Sequence, residues 1–273
     1  MISCDLHTHT LYSDGMYSPA QIVDMAIDKG LDVLAISDHD TVKGVREAVE
    51  YGREKGIRVL PAIEISTFAL NEIHILGYNI EYDNPEFLQV IENVKSMRRS
   101  RNERIIDKLD ELGIKLNKDS LDNNHKNIGR MHIARQMVTE GYVKDVNEAF
   151  DNYLGMKGIC HIDAVRLKPY EAVKLIKRYN GVPVIAHPQR YYMENVLESL
   201  IEGLIKYGLE GIEVYYPKHS KEQREHYLEL ADKYGLIATG GSDFHSFKPN
   251  CEVGIAHAVL DKKACEKLKI DYK

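Results

Sequence analysis

Twelve histidines occur in the 273 residues. Two of them, His7 and His9, stand two apart in CDLHTHTLYSDG, at the end of a short apolar run. In an extended segment, side chains at i and i+2 point to the same side, so both imidazoles can converge on one point. The stretch alone allows two readings: a polar strand end leading into a turn at Asp14-Gly15, or half of a metal site. Distant segments favour the second. GGSDFHS holds a second same-face pair, Asp243 and His245, behind two glycines that let the backbone approach closely. His39 in SDHDT and His187 in VIAHP, the latter stiffened by Pro188, each close an apolar run. Glu64 in AIEIS is a carboxylate inside one, which is rare unless the group is paired or metal-bound. His74 in EIHILGY reads by itself as a core histidine and becomes a ligand candidate only beside the others. Asp40 reads as a cap for the following helix, and Asp14, by itself, as a turn residue. Imidazoles and carboxylates without thiolates suit Zn²⁺, Mn²⁺ or Fe²⁺.

The elements that must position these groups alternate. ISCDLH, DVLAIS, IRVLPAIEI, IHILGY, VPVIAH, GIEVY and LIATGGSD read as strands. SPAQIVDMAIDKG reads as a helix with Ser18 as N-cap, Pro19 in the first position and Gly30 as the stop. DTVKGVREAVEYGREKG, PYEAVKLIKRYNG, NVLESLIEGLIKYG and KEQREHYLELADKYG are further helices. This order implies parallel βαβ units. Seven strands ending in histidines and acids fit a closed or nearly closed (β/α) barrel, whose functional groups gather at the C-terminal ends of the strands. Between about Asn84 and Arg166 the strand-like runs give way to PEFLQVIENVKSMRRSRNERIIDKLDELG, RMHIARQMVTEG and VNEAFDNYLG, all amphipathic. The expected organisation is barrel segments 1–83 and 167–273 around a helical insertion, 84–166, that caps the end where the ligands collect.

Composition narrows the function classes. A chain 44% hydrophobic and 29% charged is ordinary globular material. A net charge of −6 and a pI near 6.1 argue against a protein that coats long nucleic acid. Cys4, Cys160, Cys251 and Cys265 form no C-x-x-C pair, which suits free thiols in a reducing compartment. With no signal peptide and no apolar run of about 18 residues, the expectation is a soluble cytoplasmic protein without membrane contact. The sequence leaves the oligomeric state open.

Taken in order, DLHTHTLYSDG, AISDHDT, PAIEIS, IHILGY, IAHP and GSDFHS resemble the polymerase and histidinol phosphatase (PHP) superfamily. The resemblance implies an α/β fold, a distorted seven-stranded (β/α) barrel holding two or three divalent ions. Carried over motif by motif, it implies the ligands His7, His9, Asp14, His39, Glu64, His74, His187, Asp243 and His245. Only the resemblance turns Asp14 from a turn residue into a ligand. The insertion, with GRMHIARQMVTEGYV and AFDNYLGMKG, resembles the subgroup that hydrolyses nucleoside 3′,5′-bisphosphates or removes 5′ nucleotides from short RNA. Met131 stands where that subgroup commonly has proline, and CHID where it has a PAYV-like end.

The implied reaction is attack on a phosphomonoester by a hydroxide bridging the ions, with Glu64, His187 and Asp243 at the reacting centre and Glu64 as the bridging carboxylate. The three ligand carboxylates leave a formal positive surplus that complements a phosphate dianion. Outside the metal shell, Arg130, His132, Arg135 and Lys157 of the insertion are the candidate phosphate contacts; surface solvation is the alternative for each. Tyr215 or Tyr216 would stack on a base and His219 would donate a hydrogen bond. Glu213 faces the barrel mouth in an open role. MRRSRNER reads as a solvated face, and His125, His161, His226 and His257 as surface or packing residues. Two other functions fit the same barrel: a histidinol-phosphate phosphatase, and a non-catalytic PHP interaction module. The arginine-bearing insertion weighs against the first and the filled ligand positions against the second.

Overall fold

The computed structural model describes residues 2–69, 72–117, 121, 129–162, 166–190, 194–246 and 252–271. The chain runs from β1 (Ile2–Thr8) through α1 (Pro19–Asp28) to β2 (Val33–Ile36), and through α2 (Val45–Lys55) to β3 (Arg58–Phe68). It then doubles back as β4 (Glu72–Tyr78). The insertion follows, with α3 (Pro85–Glu111), α4 (Arg130–Thr139) and α5 (Val146–Ala149), the last running into a π-helical turn over Phe150–Leu154. Then come α6 (Pro169–Arg178), β5 (Val182–Ile185), α7 (Glu194–Ile205), β6 (Gly211–Tyr215), α8 (Lys221–Tyr234), β7 (Ile237–Gly240), β8 (Ala258–Leu260) and α9 (Lys262–Leu268).

The strands form one sheet in the order β7-β6-β5-β4-β3-β2-β1-β8. All seven strands expected from the sequence are present. β8 is an addition, three residues pairing antiparallel with β1 and too short to show a period of its own. The parallel pattern holds for β1–β2–β3 and for β5–β6–β7, but β4 is antiparallel to both its neighbours. The reason is the short connection after Phe68, which leaves no room for the crossover helix that parallel pairing needs. The start of β4 therefore lies beside the end of β3, with His74 opposite Ser66.

Side-chain alternation along each strand separates two layers. Leu60 and Ala62 of β3, Leu76 and Tyr78 of β4 and Val184 of β5 share the barrel interior. Ile63, Ile65, Ile75 and Ile212 pack outward with Ile176 and Ile201 of the helices. Glu64 and His74 continue the two interior columns toward the mouth. Residues beyond β7 return to β1: Thr8 bridges Phe244, and the Asp243 and His9 amides donate to the His7 and Phe244 carbonyls at 2.8 and 2.9 Å. Gly241 permits this approach, since a Cβ there would lie 2.3 Å from that of His7.

Helix starts follow local chemistry. Ser18 caps α1 in a capping box with Gln21, behind Pro19. Asp40 does not cap α2, which begins at Val45 behind Gly44. Instead Asp40 has a φ of 50°, and its Oδ1 accepts the Ser66 amide at 2.9 Å, stitching the end of β2 to β3. In α3, Phe87 and Ile91 pack with the barrel helices. Its far end, through Ile105 and Leu109, joins Ile133, Met137 and Leu154 in a separate core.

Candidate metal centre

The nine candidate ligands meet at one mouth of the barrel, on the ends of β1, β2, β3, β5 and β7, the start of β4 and the loop after β1. The donor atoms of eight of them form three groups: His9, Asp14, His39 and His245; His7, His9, Glu64 and Asp243; and His39, Glu64 and His74; His187 stands outside the groups. Glu64 sits between groups. Its Oε2 lies 3.3 Å from Nε2 of both His7 and His9 and 2.9 Å from Nδ1 of His39. Its Oε1 lies 2.7 Å from Nδ1 of His74 and 3.0 Å from Nε2 of His187. Asp243 Oδ1 lies 3.5 and 3.2 Å from Nε2 of His7 and His9. Asp14 Oδ1 lies 3.1 Å from Nε2 of His245 and 3.9 Å from that of His39.

The polar atoms at the centre are crowded but poorly satisfied. His7 Nε2, His9 Nε2, Glu64 Oε2 and Asp14 Oδ1 are buried and make no hydrogen bond. Such atoms cost free energy unless something supplies their missing partner. Shared nitrogen and oxygen donors converging in this way fit divalent ions.

A surrounding layer fixes how these donors point. Glu213, on the interior face of β6, accepts from His7 Nδ1 at 3.0 Å and from the His187 amide at 2.6 Å. The first bond places a His7 proton on Nδ1 and aims Nε2 at the centre. His245 Nδ1 donates to the Asp243 carbonyl at 2.8 Å, which aims Nε2 at Asp14. Asp38 accepts from the Thr10 amide, the Thr10 hydroxyl and the Ser13 hydroxyl at 2.7, 2.6 and 2.5 Å. It thereby sets the loop that carries Asp14. Arg190 and the Tyr216 hydroxyl donate to Asp243 Oδ2 at 2.8 and 3.2 Å, leaving Oδ1 toward the histidines.

Burial opposes charge on the imidazoles of His7, His9, His74, His187 and His245. It prevails at His9, where His245 and His39 add to it, and at His187, where Arg190 adds to it; both are pushed down to about 3. At His74 the Glu64 carboxylate overcomes burial, and at His245 Asp14 does so; both are held up at about 9. Against their own burial, Glu64, Asp14 and Asp243 stay well below the usual carboxylate range, Glu64 chiefly through His39, Asp14 through His245 and Asp243 through Arg190. The centre thus keeps its carboxylates ionised.

A cavity of about 1210 Å³ opens over the groups. Arg130 and Arg135 line it. Arg130 Nη2 and Arg166 Nη1 each lie 2.5 Å from the Glu72 carboxylate, which also lies 3.3 Å from His74 Nε2. Arg135 donates to the Asp14 carbonyl at 3.1 Å.

The other expected substrate contacts are placed elsewhere. His132 Nδ1 accepts the Gly129 amide at 3.1 Å, at the start of α4. Lys157 is exposed on the loop after the π turn. Tyr215 packs against the barrel cores, because its parity on β6 turns it inward; Tyr216 is the tyrosine that lines the cavity. His219 donates from Nδ1 to the Val214 carbonyl at 2.7 Å, and burial pushes it down to about 4. His161, His226 and His257 are not among the lining residues, and His125 lies outside the described residues.

Sequence reasoning passed over Glu72, Arg166, Arg190, Lys218 and Arg224. It left Glu213 open, although a carboxylate inside the apolar run GIEVY carries the same signal as Glu64. Within MRRSRNER, Arg99 is exposed. Arg101 is only 5% exposed and lines the cavity.

The family profile described as PHP domain matches residues 5–194, more than half of the chain. A 5′-3′ exoribonuclease of Haemophilus influenzae is 34% identical over 244 residues, covering 88% of this chain and 89% of its own. A 3′,5′-nucleoside bisphosphate phosphatase of Chromobacterium violaceum is 33% identical over 253 residues, covering 90% and 88%. A Bifidobacterium adolescentis protein, provisionally described as a metal-dependent phosphoesterase, superposes with a TM-score of 0.85 at 29% identity, covering 97% of this chain and 94% of its own. By its ordered motifs, barrel and relatives, the chain belongs to the PHP family of metal-dependent phosphoesterases.

Proposed function

We propose that the protein hydrolyses the phosphomonoester of nucleoside 3′,5′-bisphosphates or removes 5′ nucleotides from short RNA. The observation that carries this reading is the three donor groups joined through Glu64, His9 and His39, opening into a cavity with Arg130 and Arg135 on its wall. His7, His9, Glu64 and Asp243 would hold one divalent ion; Glu64, His39 and His74, with His187 beside them, a second; and Asp14, His39 and His245 a third. Mn²⁺, Fe²⁺ and Zn²⁺ suit this donor set. Ions held there supply Lewis-acid charge for a phosphoryl group and lower the pKa of water.

The chain's own residues do the rest. Glu64 ties the first two groups together through its two oxygens. Arg190 and Tyr216 keep Asp243 turned inward. Arg130 and Arg166, spread on one carboxylate, present guanidinium edges suited to a second phosphate. The insertion over the mouth limits the entry of bulk water. The free thiols of Cys4, Cys160 and Cys265 support a reducing, cytoplasmic setting.

The test is turnover by the Mn²⁺-loaded protein of adenosine 3′,5′-bisphosphate, a 5′-phosphorylated oligoribonucleotide and histidinol phosphate in parallel. Phosphate release from the first, or nucleotide release from the second, is expected. A preference for histidinol phosphate would overturn the reading. His9→Ala should abolish turnover and lower bound metal measured by elemental analysis.

A further inference from the structure

Two walls of the cavity carry cations, and the proposed function uses one of them. On the insertion side Arg130, Arg135 and Arg166 lie beside the groups built on His74 and Asp14. On the other side, the segment after β6 brings Tyr216, Pro217 and Lys218 into the lining, and α8 adds Arg224. This second wall abuts Asp243. The Tyr216 hydroxyl reaches Asp243 Oδ2 at 3.2 Å, and Arg224 Nη2 donates to the carbonyl of the same tyrosine at 3.4 Å. A line of contacts therefore runs from the metal centre along Tyr216 to Arg224, with Lys218 two residues farther along the loop. Arg224 Nε is buried without a hydrogen bond.

A nucleoside bisphosphate offers two phosphates, which the metal groups and the insertion wall account for. Cations on the opposite side match a substrate with one more anionic group, and a strand of RNA carries one at its next internucleotide linkage. The cavity, at about 1210 Å³, exceeds the usual ~300–1,000 Å³ of small-molecule pockets. Resting on the phosphoesterase reading, we propose that Lys218 and Arg224 form a subsite for the downstream phosphodiester of a short oligoribonucleotide, with Pro217 beside its second nucleotide.

The test compares kcat/KM for a 5′-phosphorylated trinucleotide and for adenosine 3′,5′-bisphosphate in wild type, Lys218→Ala, Arg224→Gln and the double variant. The double variant should lose trinucleotide-over-bisphosphate selectivity by about tenfold, the scale of a charge-assisted contact. The fall of trinucleotide kcat/KM with salt should also become shallower. Lys218 is exposed, so Lys218→Ala should fold with an unchanged thermal midpoint and carry part of the effect by itself. Equal losses on both substrates, or none on either, overturn the subsite and leave the phosphoesterase reading standing. So does a wild type that cleaves the bisphosphate but not the trinucleotide. A wild type that cleaves neither overturns both.

Discussion

Glu213 shows how much of a metal centre rests on residues that hold no metal. One carboxylate accepts two donors, the His7 ring and the His187 amide, at 3.0 and 2.6 Å. In Glu213→Gln one oxygen becomes an NH₂ group, so either one of the two contacts breaks or His7 switches tautomer and turns an N–H toward the centre, while the volume is kept. Outer-layer partners of ligating histidines are typically worth ~10–100-fold in metal affinity, and a loss of that order is expected in a Mn²⁺ titration. Unchanged affinity would show that packing alone orients His7. The sequence displayed Glu213 as plainly as Glu64, since both are acids inside apolar runs, but it had no way to show which of two inward carboxylates joins the donor groups and which meets the histidine behind them. Asp14 is the opposite case. Its Asp-Gly context describes a turn correctly, and only the family motifs pointed to the centre. The three donors that aim its loop belong to Thr10 and Ser13 and converge on Asp38, a contact that no spacing rule encodes.

Among the elements, the strands were legible because apolar runs of four to seven residues between capped helices leave few alternatives. The direction of β4 was not, since a strand has the same period whichever way it runs. Its reversal decides the site: it brings His74, near the start of β4, to the same mouth as the strand ends around it. Likewise, VNEAFDNYLG reads as one helix, and the change to π geometry at Phe150 leaves no sequence mark. The seam between the β7 end and β1 depends on a missing side chain. In Gly241→Ala the new Cβ would meet the His7 Cβ and amide at 2.3 and 2.4 Å, and neither neighbour can move without displacing a candidate ligand. Overpacking of this kind typically costs ~1–3 kcal/mol, and metal binding should weaken with it. Gly203, inside α7, provides the contrasting case, because nothing lies within 4 Å of its added Cβ. Gly203→Ala should stabilise by about 0.5–1 kcal/mol through helix propensity alone. Denaturant midpoints moving in opposite directions are the expected result; a neutral Gly241→Ala would mean that the seam can open freely.

At the scale of the whole molecule, the candidate ligands run from His7 to His245, nearly end to end along 273 residues. Each strand from β1 to β5 contributes a candidate ligand on it or just beyond it, as does the segment after β7. Ions bound to such a set favour only the folded chain, because an unfolded chain cannot gather donors from so many segments. Ligands that bind the native state alone add about 2.7 kcal/mol at a hundredfold excess over Kd. In chains of this size each kcal/mol moves the thermal midpoint by ~2–4 °C, so removal by a chelator should lower it by about 5–10 °C. Added Mn²⁺ should restore it. The same protocol applied to His9→Ala separates two explanations of such a shift. His9 belongs to two of the three groups, so its loss should shrink the response to chelator. A full response in His9→Ala would place the stabilising ion elsewhere, and no response in wild type would mean that the mouth is held by its polar network without ions. The buried atoms of His7, His9, Asp14 and Glu64 that make no hydrogen bond argue against that last outcome, because a mouth held without ions would leave all four short of a hydrogen-bond partner.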